Sequence, residues 1–145
     1  MNLSFSTNRW SGRDMNEFID IAADYKFGGI EIHNVNEVEN AFDVYHKLIE
    51  SSKKISCIDM VTDVSEDVNA AIEEMKSCTE VSKILRNKYI RVKASKSAEE
   101  FLEKALEYAE ENGMILLVET VGEYADTEKL AELLKKFACD NIAAL

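Results

Sequence analysis

No proline occurs anywhere in the 145 residues, and glycine only five times. Without proline there is no stiff extended linker to part the chain into separate units, and scarce glycine limits left-handed turns. The three cysteines, Cys57, Cys78 and Cys139, are odd in number, far apart and without a CxxC pair. That spacing argues against a disulfide framework or a thiolate zinc site, and for reduced, buried thiols in a cytoplasmic protein. Residues 1–20 lack a basic segment running into an apolar one, and no stretch approaches the ~18 apolar residues of a membrane span. Neither a secretory signal nor a membrane anchor is expected. Positive charge is also short: 17 Lys and Arg face 28 Asp and Glu, for a net charge of -11. Such a balance disfavours a nucleic-acid backbone or an anionic membrane as partner.

What remains is a globular composition, 46% hydrophobic and 31% charged. Residues 1–145 read as one domain with enough apolar mass for a core. Its organising stretch is Ile115-Leu116-Leu117-Val118-Glu119-Thr120. Four apolar residues after a glycine stop (Gly113) predict a strand buried on both faces, and a Glu at its C-terminal end lies where α/β proteins keep their chemistry.

The rest of the chain repeats one unit. Asn2 to Ser6 predicts a first strand, and Ser11-Gly12-Arg13-Asp14 has the form of a capping box. Met15, Phe18, Ile19, Ala22 and Tyr25 then follow at helical spacing up to Gly28-Gly29. Ile30 to His33 is a second strand. Ala41, Phe42, Tyr45, Leu48 and Ile49 mark a second helix, and Ile55 to Val61 a third strand. Val68 to Leu85 forms a long helix entered through Ser65 or Asp67. Tyr89 to Ala94 is a fourth strand, and Ser97-Ala98-Glu99-Glu100 a second capping box for a fourth helix. After the strand ending at Glu119, Asp126 or Thr127 caps a helix bearing Leu130, Leu133, Leu134 and Phe137. Asn141 to Leu145 is the sixth strand.

Strand centres fall roughly 25 to 34 residues apart, the length of one βα unit, and strict alternation implies a parallel sheet with right-handed crossovers. Two architectures fit, part of a (β/α)8 barrel or an open doubly wound sheet. Parity favours the barrel. Glu31 and His33 share one face against Ile30 and Ile32; Arg91, Lys93 and Ser95 alternate with Ile90, Val92 and Ala94; Ser4 and Ser6 alternate with Leu3 and Phe5. A doubly wound sheet, covered on both faces, would be apolar at both parities. In the third strand Ser56 and Asp59 differ in parity and fit less well. No G-x-G-x-x-G turn follows the first strand. About six parallel strands and five helices make a partial TIM barrel, short of the last two βα units of a full ~250-residue barrel.

LSFSTNRW at the start, FGGIEIH at the second strand, IRVKAS at the fourth and ILLVET at the fifth resemble the xylose isomerase-like TIM-barrel superfamily of sugar isomerases and epimerases. The resemblance implies that Glu119, on the family's strand-five position, is a divalent-metal ligand (Mn, Mg, Co or Zn) and acts in proton transfer. The family's further ligands, an Asp, a His and a Glu of later strands, have no counterpart in these residues. One carboxylate cannot hold a catalytic metal. The superfamily's AP endonuclease branch places extra histidines on strands three and four; this sequence has none there.

Glu31 and His33 are expected in the barrel mouth, gripping substrate hydroxyls, although a strand-end histidine satisfied by a neighbour has the same pattern. Arg91 and Lys93 suit a carboxylate, phosphate or sugar oxygen, or else neutralise Glu31 and Glu119. Trp10 offers a stacking surface for a sugar ring or an ordinary packing residue, and Asn8 and Asn34 fall on neighbouring loops. His46 belongs on the surface. Two functions are carried forward. One is the N-terminal part of a metal-dependent sugar isomerase or epimerase working through an enediolate and inactive as this isolated chain. The other is a non-catalytic binding or assembly module on the same fold. Open edges at strands one and six predict a homodimer or higher oligomer.

Overall fold

The computed structural model describes residues 3–9 and 12–145. Six strands, β1 (Ser4–Ser6), β2 (Gly29–Ile32), β3 (Lys54–Asp63), β4 (Tyr89–Lys93), β5 (Ile115–Val118) and β6 (Ile142–Ala144), alternate with five helices. The helices are α1 (Met15–Asp24), α2 (Ala41–Glu50), α3 (Val68–Leu85), α4 (Glu99–Glu111) and α5 (Thr127–Phe137). All neighbouring strands pair in parallel, in the order β1-β2-β3-β4-β5-β6. A doubly wound sheet would reverse its strand order at a switch point. Here the order never reverses, so right-handed crossovers lay every helix on one side of the sheet. This is barrel winding.

The core lies between sheet and helices. Ile30, Ile32, Ile58, Ile90, Val92, Leu116 and Val118 are fully buried there with Phe18, Ile19, Met75, Phe101 and Leu102. Glu31, Arg91 and Leu117, one residue out of phase, are only partly buried on the other, inner face. The alternation expected from the sequence is therefore the division between helix side and barrel interior.

β3 breaks the pattern for a local reason. Its register against β2 shifts between Ile30↔Ile55 and Glu31↔Cys57, so Ser56 is an extra residue on the longer strand. Such a bulge flips the parity of everything beyond it. A Cβ on Gly29 would lie 2.7 Å from Ser4 Oγ and 3.4 Å from Ser56 Cβ, which sets Ser4 and Ser56 on the same face. Past the bulge, Asp59 lies opposite Arg91. Ser56 and Asp59 thus both face inward despite their opposite parity.

Several local expectations are corrected. Ser11 lies outside the described residues; Asp14 caps α1, its carboxylate accepting from Glu17 N at 2.9 Å. α1 ends at Asp24, before the glycine pair, and Gly29 already belongs to β2. The second capping box slips by one: α4 begins after Ala98 with no side-chain cap, and the Ala98 N–H instead donates to the Tyr124 hydroxyl at 2.8 Å. On α2 the buried stripe is Val44 and Leu48, while Phe42 and Ile49 are exposed, because the helix turns its face toward α1 and α3. Asp67 and Asp126 cap α3 and α5 as expected. Cys57 and Cys78 are buried, but Cys139 is exposed in the turn after α5.

Candidate functional site at the open mouth of the sheet

Asp59, which the sequence pattern did not single out, is the centre of the inner face. Its side chain is 5% exposed. Arg91 Nε donates to Oδ1 at 3.0 Å and Nη2 to Oδ2 at 2.6 Å, a two-pronged grip that matches the planar fork to the planar acid. Arg91 Nη2 also lies 3.1 Å from Glu31 Oε1. The hydrogen bonds it donates to Asp59 push the Arg91 guanidinium pKa above its already high value, with Glu31 and Glu119 adding to it and partial burial opposing it. Arg91 is a permanent cation already shared between two carboxylates.

His33 completes this network. Its Nδ1 is 2.8 Å from Asp59 Oδ2. A carboxylate oxygen accepts, so Nδ1 is the donor, and Nε2 is the ring nitrogen left for another partner. The ring's backbone is fixed as well: His33 N–H donates to Thr7 Oγ1 at 3.0 Å, and that buried hydroxyl donates to Glu37 at 3.0 Å. Loops after β1 and β2 are thereby tied to one position of His33.

The other inward pair is different. Lys93 and Glu119 lie side by side, since Val92 pairs with Val118 and both chains continue one residue further. Glu119 falls just past the end of β5, its N–H bonded to Val92 O at 2.9 Å. Both side chains are half-buried, and neither makes a hydrogen bond or ion pair among the described residues. The expectation that Glu31 and Glu119 are neutralised by Arg91 and Lys93 therefore holds for Glu31 alone.

A third feature clamps the mouth. Asp63, at the end of β3, accepts from Ser65 N at 3.0 Å and Ser65 Oγ at 2.6 Å, and from Ser95 N at 2.9 Å. Partial burial would raise its pKa, but these donors outweigh that and hold its carboxyl below the usual range. Lys96 N–H donates to Ser65 Oγ at 3.1 Å. Gly122, at φ +57°, passes so close to the same loop that a Cβ would lie 2.6 Å from Ala94 O. Loops after β3, β4 and β5 are thus locked together three residues from Glu119.

Of the residues expected from the sequence, His33 and Arg91 meet at Asp59, Glu31 joins through Arg91, and Lys93 and Glu119 lie on the neighbouring strand ends. Trp10 lies outside the described residues. His46 is exposed. Cys57 faces the same network, but burial, with Glu31 adding, pushes its thiol up to about 12, so it is no nucleophile. The residues present do not make a metal centre: among those described, no group of three or more His, Cys, Asp and Glu is placed to hold an ion. Two of the inward carboxylates serve Arg91, and Glu119 is left alone.

No family model and no curated protein matches the sequence. Solved structures do match. The 3-keto-D-glucoside 4-epimerase YcjR from E. coli superposes with TM-score 0.84 at 12% identity, covering 99% of this chain and 67% of its own. The fold is a portion of a xylose isomerase-like TIM barrel. The probable 3-DHS dehydratase AsbF from Bacillus anthracis follows with TM-score 0.82 at 20% identity, over 99% of this chain and 62% of that one. A family 2 AP endonuclease from Brucella melitensis matches with TM-score 0.72 at 15% identity, over 99% and 67%. This chain spans about three-fifths to two-thirds of the length of these barrels, whose reactions differ. The fold is common to them; the chemistry must be argued from side chains. No helix among the described residues is long and apolar enough to cross a membrane.

Proposed function

We propose that these residues form the substrate-gripping part of a sugar isomerase or epimerase, in which a proton moves between adjacent carbons through an enediolate. The observation that carries this reading is Glu119: a half-buried carboxylate at a strand end, unpaired among the described residues, on the same sheet as the fixed His33 and on a fold shared with sugar epimerases. A carboxylate left without a partner in a barrel mouth is free to accept a proton from carbon or to hold a substrate hydroxyl. His33, held by Asp59, offers Nε2 to a second hydroxyl and moves a proton there. Arg91 and Glu31 are taken up with Asp59, so their part is to keep His33 and the sheet face in place. Trp10 remains a stacking surface in this reading. The setting is cytoplasmic, with reduced thiols.

A divalent metal, if the complete protein uses one, receives at most one ligand here, Glu119, and must draw its others from residues beyond these 145. The isolated chain is therefore inactive. The second reading, a non-catalytic binding or assembly module, is favoured by that same shortage of ligands.

The reading frame after the Leu145 codon separates the two. An enzyme requires it to continue into further strands ending in Asp, His and Glu. A natural stop codon at that point overturns the enzyme reading and leaves the module.

A further inference from the structure

Glu74 on α3 makes contacts that belong to neither the helix nor the sheet ladder. Its half-buried carboxylate accepts from the Val61 N–H at 2.6 Å and from the Thr62 N–H at 2.9 Å. Neighbouring N–H groups of a regular strand point to opposite sides, so two that converge on one acid mark a break in β3. The register locates it. From Asp59↔Arg91 to Asp63↔Lys93, β3 advances four residues while β4 advances two. β2 pairs no further than Ile32 with Ile58, so beyond that point α3 supplies the acceptor that a neighbouring strand would. The slack in β3 reaches the mouth. In straight register Asp63 would lie opposite Ser95; with the extra residues it is level with Lys93 and accepts from Ser95 N at 2.9 Å. The next N–H, of Val64, donates to Lys93 O at 3.0 Å.

We infer that Glu74 is a positioning residue of the mouth: seated in the Val61–Thr62 backbone nest, it holds the β3 bulge, and the bulge sets Asp63 at the height that joins the loops after β3 and β4. A carboxylate offers two acceptor oxygens to two adjacent donors, in bonds about twice as strong as neutral ones. With Glu74 gone, both N–H groups would face a hollow of about 350 Å³ lined by Asn34, Asn36, Val61, Thr62 and Ser77. Nothing then favours the long register over the straight one, and the Asp63 joint loosens. Glu73, one residue earlier, is exposed and pairs with Lys76 at 2.7 Å, so it carries the same charge without this contact. The role is the same in an enzyme and in a binding module, and it does not depend on what the mouth takes up.

The test is amide NMR and hydrogen exchange on the 145-residue chain and its Glu74→Ala, Glu74→Gln and Glu73→Ala variants. Glu74→Ala should move the Val61 and Thr62 amide protons upfield and displace the Ser65, Ser95 and Lys96 amides. Exchange at Val64 and Ser95 should speed by about tenfold or more, the scale of one hydrogen bond to a charged group. Formate, a carboxylate small enough for the vacated seat, should return these signals toward the parent, and chloride at equal ionic strength should not. Glu73→Ala should leave them in place. Glu74→Gln keeps the shape and one acceptor, and it should displace the same mouth amides by less; it is the variant read if the alanine chain does not fold. Val61 and Thr62 moving while Ser65, Ser95 and Lys96 stay at their parent positions overturns the positioning role and leaves Glu74 as a plain cap of the strand. Equal displacement in Glu73→Ala overturns it too, since loss of charge alone would then suffice. Neither result touches the carbohydrate reading, because no sugar enters the test.

Discussion

Asp59 holds Arg91 by both carboxylate oxygens, at 3.0 and 2.6 Å, across neighbouring strands of the inner face. Removing one partner of such a buried pair leaves the other charge without compensation, at about 3–5 kcal/mol. Asp59→Ala should lose stability on that scale in urea unfolding. Glu31→Gln should lose no more than about 1.5–3 kcal/mol, the range for a hydrogen bond to a charged group, because Glu31 makes one contact at 3.1 Å and is 19% exposed. Equal losses would mean that the two acids share Arg91 evenly.

Two glycines with similar backbone angles should respond differently to alanine. Gly113 has φ +67° and nothing within 4 Å of an added Cβ, so only backbone strain of about 1 kcal/mol is at stake. Gly122 has φ +57° and a Cβ would press on backbone atoms of Ala94 and Ser95. Gly122→Ala should cost about 1–3 kcal/mol and move the amide signals of Ser95 and Glu119. Gly113→Ala should leave those signals in place.

Asp63 sets a pH signature. Its folded pKa lies below the ordinary value of about 3.9, so the ionised carboxylate favours the folded state. That contribution is complete above about pH 4 and is lost as pH falls through the folded value. The stability gap between the parent chain and Asp63→Asn should be flat above pH 4 and shrink below it. Urea midpoints measured from pH 6 down to pH 2 check this. A gap that widens toward low pH would contradict the hydrogen-bonding scheme.

Much of this was legible in the sequence, for a physical reason. β2 and β4 alternate cleanly because helices cover only one side of the sheet, and that parity placed Glu31, His33, Arg91 and Lys93 on one face. Asp59 read as a parity misfit and not as a site residue because the bulge at Ser56 reverses parity within β3, and a bulge has no marker when its extra residue is an ordinary serine. The unexplained polar residue in an otherwise apolar strand was the available signal. Which acid Arg91 would choose was not legible, since strand register decides it. Caps at Asp67 and Asp126 were readable from residue type; at Ala98 the Tyr124 hydroxyl substitutes from another loop, which no local pattern encodes.

Open edges predict self-association. β1 and β6 are three residues each, with Leu3 and Leu145 about half exposed beside them. An apolar hollow of about 540 Å³, lined by Phe5, Arg13, Ile21, Tyr25 and Phe27, flanks β1 on the helix side. Covering a few hundred Å² of such surface is worth several kcal/mol at ~25 cal/mol per Å². Sedimentation equilibrium at micromolar concentration should show a two-fold dimer. A stable monomer of 16.4 kDa would refute it.

In the proposed function Glu119 is the catalytic carboxylate, and the described residues around it offer too few ligands for it to act alone. The direct measurement is exchange of carbon-bound hydrogen for deuterium in sugars and sugar acids incubated with the purified chain in D₂O, with Mn²⁺ or Co²⁺ added. No exchange above the protein-free control is expected. Exchange that disappears in Glu119→Gln would contradict it, because the site would then be complete within these 145 residues or across a dimer of them.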